Sequence, residues 1–522
     1  MALPAVLALA LLGAPPASNW VWALNGVRSV APLVAAALLL AAAASALIPL
    51  VRSRSRGWTV AAALVLVGLV AFPLRERVHM LGDTAARLGA ISSFLFHLDS
   101  TSLVGYARQI HAGPLDFAVD FLAPVGLHGL GVPASLAMSC LSFALGLIYF
   151  AGAARVASRI TRDRAIRSGV VAALVLSGAL EVYAGYAESA GLVLAVGAWW
   201  WSRLLAPVRS GRDAGLAAGA WLVLVLSHRV GIAMLLPQVW RAVGPAFPAD
   251  DPRARRSLLL WSAVAAVAAA GVIAAQGEGV QLGRDAGELM LSLRSFASHV
   301  AMPSDIANLL VLIAPLALLA PGFAGGAALR GFLARPEAKL VAVAALPLLP
   351  FATLVGPTGL GLHRDWDASV LLGWTLTVGA VAAIASLPPN RVRGALVVAL
   401  PLATLVALGW VAVNADEAAS LRRADALATR PPLLGSSQRA QALLFLAGRA
   451  VYDGQIEEAA RRYQASYELA PAPQRGILAA RAWAATGHEA DALNMLDRLR
   501  ARSDLDPETR ARADTLAREL RR

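Results

Sequence analysis

Apolar runs approaching a membrane's width recur from Val30 to Val413, and the breaks between them alternate in chemical kind. Val30–Leu50 is followed by Arg52, Arg54 and Arg56, and Thr59–Leu74 by Gly82-Asp83-Thr84 in a long polar stretch. Gly131–Ala153 leads to Arg155, Arg159, Arg162, Arg164 and Arg167, whereas Val170–Ala187 ends in Glu188. Gly191–Ala206 leads to Arg209 and Arg212, Leu216–Leu226 to Ser227-His228-Arg229, and Gly231–Val243 to Arg253, Arg255 and Arg256. Leu258–Ala275 precedes Glu278, Asp285 and His299, and Ile306–Ala320 precedes Arg330, Arg335 and Lys339. Leu340–Val355 leads to His363-Arg364-Asp365-Trp366-Asp367, and Ala368–Leu387 to Arg391 and Arg393, before a last run, Ala395–Val413. Backbone groups in lipid must be paired within their own segment, so such runs are helices. With a short first helix at Ala2–Leu12, which lacks the basic start of a signal peptide, about 12–13 crossings are expected. Lys and Arg of short loops stay cytoplasmic. The arginine breaks therefore face the cytoplasm, and Asp83, Glu188, His228, residues 363–367 and the C-terminal tail face outward.

The chain is 58% hydrophobic and 15% charged, with a mean hydropathy of +0.63, far from the balance of a soluble domain. The formal net charge of +13 sits in the cytoplasmic breaks, where topology explains it and anionic lipid headgroups are natural partners. Nucleic acid is excluded as a partner on that ground. Cys140 is the single cysteine, so no internal disulfide forms.

After residue 414 the solid apolar pattern gives way to an amphipathic one. Residues 415–436, with Arg430-Pro431-Pro432-Leu433-Leu434-Gly435, read as a linker, which leaves 1–414 as the membrane domain and 437–522 as a small helical one. In the latter, Tyr452-Asp453-Gly454-Gln455-Ile456-Glu457-Glu458-Ala459 returns loosely as Ala485-Thr486-Gly487-His488-Glu489-Ala490-Asp491-Ala492, 33 residues on. That spacing resembles a tetratricopeptide repeat. Glycine allows the tight turn between paired helices, and alanine lets them approach. Such a tail is either a partner-binding surface or a structural cap.

The outward breaks hold the candidate site residues. Asp83 is a potential general base, and Gly-Asp-Thr before Ala-Ala-Arg is equally a good helix N-cap. Glu181 and Glu188, seven apart, would share a helix face, with Tyr183 and Tyr186 between them. Carboxylates at a membrane helix end are costly unless they meet water, protein or substrate. His228 is either a satisfied structural histidine or a ligand group. Arg364-Asp365-Trp366-Asp367 is the densest cluster: Arg364 could fork onto a phosphate, Asp365 orient it, and Trp366 stack on a sugar or anchor at the interface. Asp367 is a candidate cap or substrate ligand. No metal site is read from the residues, a divalent metal is compatible but not required, and the cofactor is left open.

Taken in order, Asp83, Gly185-Tyr186-Ala187-Glu188, Ser227-His228-Arg229-Val230-Gly231, Ser304-Asp305-Ile306-Ala307-Asn308 and Arg364-Asp365-Trp366-Asp367 resemble the GT-C membrane glycosyltransferases, most nearly the bacterial protein O-mannosyltransferase-like members. The resemblance spans residues 60–413, departing in the first outer loop, where one acid stands in place of the usual pair. It implies an all-α, polytopic membrane helix bundle in a bacterial inner membrane, with active site and tail extracytoplasmic. It also implies transfer of a sugar from a polyprenyl-phosphate carrier to a protein or glycan acceptor. Asp83 would then be the base, Arg364 the phosphate ligand, and Tyr186, Glu188, His228, Asp365, Trp366 and Asp367 the substrate contacts. The alternative is a non-enzymatic transporter or assembly protein for lipid-linked sugars, with a partner-binding tail. An O-antigen ligase-like enzyme would need a larger, more basic late outer loop than residues 276–305.

Overall fold

The structure is a computed structural model that describes residues 30–46, 48, 75–78, 84–94, 113–186, 188–275, 303–350, 352–353, 366–430, 435–503 and 505–522. Among the described residues there is no strand. Five helices are long and apolar enough to cross a membrane: Ala134–Ile160, Pro252–Ala275, Pro315–Leu333, Trp366–Ala385 and Pro389–Ala415. The protein is a polytopic α-helical membrane bundle with a smaller helical unit after it. One compact unit holds the described residues up to Asp416, and the other holds Glu417–Arg522.

In the first unit the elements that matter for function are α1 (Pro32–Ser45), α2 (Thr84–Phe94), α3 (Ala134–Ile160), α4 (Arg164–Val175), α5 (Ala190–Leu204), α6 (Gly211–Ser227), α7 (Leu235–Val243) and α8 (Pro252–Ala275). They are followed by α9 (Pro303–Ile313), α10 (Pro315–Leu333), α11 (Pro336–Ala345), α12 (Val370–Ala385) and α13 (Pro389–Ala415). α3 packs along α5, α6 along α8, and α13 along α1. Small residues set these distances, as expected where lipid removes the hydrophobic drive between helices. A Cβ on Gly152 of α3 would lie 2.8 Å from the Ala198 Cβ of α5, and one on Gly373 of α12 would lie 2.5 Å from the Ile313 Cβ.

The run Val170–Ala187 is not one helix. α4 stops at Val175, a short turn covers Ala179–Val182, and Gly185 takes a left-handed φ of 85° before α5 begins. Glu181 and Glu188 therefore do not share a helical face, which corrects the expectation from their spacing. The cause is a non-helical stretch, residues 75–77, that threads beside the break. Glu76 N–H donates to the Ala184 carbonyl at 2.8 Å, and Arg77 N–H to the Asn414 carbonyl at 3.1 Å. A Cβ on Gly185 would stand 2.8 Å from the Arg75 Cβ. Only glycine satisfies both the φ and the contact. Gly185→Ala is expected to lose roughly 1–3 kcal/mol of stability, read as a lower thermal midpoint in detergent. Gly219→Ala, in α6 with nothing within 4 Å of the added methyl, should be neutral or stabilising.

The second unit comprises α14 (Glu417–Thr429), α15 (Ser436–Tyr452), α16 (Ile456–Leu469), α17 (Pro473–Ala485), α18 (Glu489–Arg500) and α19 (Pro507–Leu520). Most of the stretch expected as a linker is thus helix α14, which packs on α15. Its Ala419, Arg423, Ala424, Leu427 and Ala428 recur at helical spacing and are buried, a periodicity the neighbouring Pro-Pro sequence obscured. The 33-residue echo is structural. Gly454 and Gly487 have φ of 75° and 76°. Gly454 N–H reaches the Val451 carbonyl and Gln455 N–H the Ala450 carbonyl. Gly487 and His488 repeat both bonds, to Ala484 and Trp483. Behind each turn a fully buried alanine, Ala459 or Ala492, sits in a core with Tyr463, Ala480 and Leu496.

Candidate functional site

α2 carries Arg87 one turn from its start, and the chain returns to it through Pro114–Asp116 and a π-helical segment, Phe117–Leu122. Phe117 and Phe121 stack at 5.2 Å. Phe121 packs with Ala90 and Ile91 of α2 and with Ala134 and Met138 at the start of α3. This wedge sets a group of ionisable side chains out of water.

Arg87 is 2% exposed and Asp116 fully buried. Arg87 Nη1 lies 3.2 Å from Asp116 Oδ1, Nη2 donates to Oδ2 at 3.4 Å, and Nε lies 3.3 Å from Glu188 Oε2. One guanidinium thus bridges carboxylates from two distant segments. Asp120 follows Asp116 by four residues on the π-helical turn. Burial, then the charge of Asp116, pushes the Asp120 carboxyl well above the usual carboxylate range, and the two acids share a hydrogen bond. Both effects favour the protonated form of Asp120. π-Helical turns of this kind recur at functional sites.

His228 joins the group from the other side. α6 ends at Ser227, and His228 turns extended as its C-cap. Gly113 makes this possible: a Cβ there would lie 2.6 Å from the Leu226 carbonyl oxygen, so the Asp116 segment seats directly on the end of α6. His228 Nδ1 accepts the Val230 N–H at 2.9 Å, leaving the ring proton on Nε2. Burial, reinforced by Arg229, lowers His228 to about 4, with Asp116 opposing and Arg87 adding to the shift. At neutral pH it is a neutral imidazole offering one N–H. Gly231, the last residue of the Ser227–Gly231 motif, has a packing role: a Cβ would stand 2.7 Å from the Leu224 carbonyl, and its own carbonyl accepts from Trp221 Nε1 at 2.9 Å.

Of the residues expected at the site, Tyr186, Glu188, His228, Trp366 and Asp367 are described. Asp83, Arg364 and Asp365 lie outside the described residues. Glu188 and His228 both belong to the Arg87–Asp116 group. Tyr186 stacks on Trp366 at 6.0 Å, and Trp366 meets Trp410 edge-on at 5.7 Å. Trp366 is fully buried, so its ring is part of the packed interior beside Tyr186. Asp367 is buried in the 3-10 turn Trp366–Ser369 that leads into α12. Glu181 accepts from Asn414 Nδ2, and Tyr183 donates to the Gly191 carbonyl at 3.0 Å. Arg87, Asp116 and Asp120 were not singled out from the sequence. The available signal was Asp116-Phe-Ala-Val-Asp120, two acids at helical spacing within an apolar context. Among the described residues no three of His, Cys, Asp or Glu are grouped to hold a metal ion. Arg87 occupies the position between Asp116 and Glu188 that a cation would take.

No protein-family profile and no curated protein matches the sequence. The structure is similar to the crystal structure of ArnT from Cupriavidus metallidurans bound to undecaprenyl phosphate, with a TM-score of 0.42 and 15% identity, over 87% of this chain and 81% of that one. At that score the likeness says nothing about ligand or reaction.

Proposed function

We propose that the protein is a membrane glycosyltransferase of the GT-C type, which moves a sugar from a polyprenyl-phosphate carrier to an acceptor hydroxyl on the extracytoplasmic face of a bacterial inner membrane. The observation that carries this reading is the buried group of Arg87, Asp116, Asp120 and Glu188, with the half-buried His228 beside it. Buried acids in a membrane protein are costly and mark sites of chemistry or transport. Transfer forms a bond from the acceptor oxygen to the anomeric carbon and breaks that carbon's bond to the carrier phosphate. The acceptor proton passes to a carboxylate, and the electron pair leaves on the phosphate. Asp83 is the base in this reading. The Asp116–Asp120 pair is a second candidate for receiving that proton, and Glu188 and the His228 Nε2–H orient the substrates. Arg364 receives the growing phosphate charge, with Tyr186, Asp365, Trp366 and Asp367 shaping the donor side. The tail is a tetratricopeptide-like surface for a protein partner or acceptor.

The test is mass spectrometry of lipid-linked sugars and surface glycans in a strain lacking the gene. We expect a polyprenyl-phosphate sugar to accumulate and one glycan modification to vanish. Donor confined to the cytoplasmic leaflet would instead make the protein a carrier for lipid-linked sugars.

A further inference from the structure

The end of the bundle opposite the ionisable group holds a cavity of about 490 Å³. α3 starts at the ionisable group and ends here with Arg159 in its last turn and Arg162 just beyond it. α5 starts beside Glu188 and ends here in Arg203. α6 runs the other way, from this cavity to His228. At 1.5 Å per residue these rods hold the two ends roughly 20–40 Å apart. Arg159, Arg162, Arg203 and Arg209 all line the cavity, with Phe247 and Glu337. None of the four forms a side-chain ion pair among the described residues. Asp213, the other acid of the lining, is already engaged by the Arg209 N–H at 3.2 Å and the Ser210 hydroxyl at 2.9 Å.

The wall is rigid. Arg241 and Asp250 form a buried, bidentate pair with both bonds at 2.7 Å. Arg241 also donates to the Leu204 and Ala206 carbonyls at 2.9 and 3.0 Å. Asp250 accepts from the Val208 N–H at 2.9 Å and the Phe247 N–H at 2.8 Å. Burial would raise Asp250, but these bonds hold its carboxyl below the usual range. The pair clamps residues 204–208 to residues 247–250, and Ala249 is held there at a left-handed φ of 66°, a conformation disfavoured for a residue with a Cβ. Topology requires only that arginines lie somewhere in these loops. It does not require four to converge on one preformed hollow, where they outnumber the two lining acids, Asp213 and Glu337, and the excess positive charge favours an anion.

We propose that this pocket is a phosphate-binding site, taking the phosphate group of an anionic ligand through the guanidinium groups of Arg159, Arg162, Arg203 and Arg209. The phosphate arrives either on a lipid headgroup or free in solution. Arg forks match phosphate oxygens two at a time, and the volume admits a headgroup-sized ligand. The site is independent of the transferase reading.

The test uses the full-length protein in zwitterionic detergent. Phosphatidylglycerol is titrated by native mass spectrometry, and inorganic phosphate by thermal melting. R159Q/R209Q is compared with R253Q/R256Q, which removes equal charge from exposed arginines outside the pocket. We expect R159Q/R209Q to weaken binding roughly tenfold or more, with R253Q/R256Q near wild type. Loss of phosphatidylglycerol binding alone identifies a lipid headgroup. Loss of protection by inorganic phosphate identifies a soluble ligand. Should R159Q/R209Q fail to fold, R209Q serves, since that side chain is exposed and its backbone bond to Asp213 is kept. Equal losses in both paired variants, or no binding of either probe by the wild type, would overturn the proposal.

Discussion

Arg87→Met should be among the most damaging single substitutions in the membrane unit. It leaves Asp116 and Glu188 buried without the guanidinium that bridges them, and breaking a buried ion pair from one side costs about 3–5 kcal/mol. The expected result is a large fall in thermal midpoint and in yield of folded protein. Removing the stranded charges should restore much of the loss, so Arg87→Met with Asp116→Asn and Glu188→Gln should be more stable than Arg87→Met alone. Arg87→Lys keeps the charge but cannot reach both carboxylates as a fork, and should fall between. A midpoint for Arg87→Met within a degree of wild type would mean that the three side chains do not form the bridge described.

The second large effect is on turnover. Asp83→Asn keeps size and caps a helix about as well as Asp, so expression and melting should be unchanged. Removing a general base should lower sugar transfer by ~10²–10⁴-fold. Asp120→Asn is the companion variant. An amide can still hydrogen-bond Asp116, but it cannot give or take a proton. If the Asp116–Asp120 pair is the working base, the large fall belongs to Asp120→Asn and Asp83→Asn is mild. Arg364→Lys should also slow transfer if a fork on phosphate is needed. Normal transfer by all three variants would end the transferase reading.

Helical class, membrane character and the 33-residue echo were legible because each is periodic and local. Apolar runs report on lipid without needing a partner, and a glycine turn leaves its mark within a few residues. The site was only half legible. Glu188 and His228 stand out as polar residues closing apolar runs. Asp116 and Asp120 do not, because an acid pair at helical spacing reads as a solvated face until Arg87, 29 residues earlier, is seen against it. The reading of Glu181 and Glu188 as one helical face failed for a similar reason. Gly185 says that a turn is allowed, but the residue 75–77 stretch that occupies it is remote in sequence. Trp366 shows the limit of interface statistics: a tryptophan beside charged residues is an anchor on average, yet here its ring lies between Tyr186 and Trp410.

The two matched glycine turns of the tail bear on how it gains its structure. From α15 to α19 the helices touch mainly their sequence neighbours. Contact order is therefore low, and domains built this way close quickly because little chain entropy is lost before contacts form. Their stability is close to a sum of units and nearest-neighbour interfaces. Loosening should accordingly begin at α19 and travel inward one hairpin at a time, so hydrogen exchange across residues 436–520 should show a gradient of protection in place of a single collective opening.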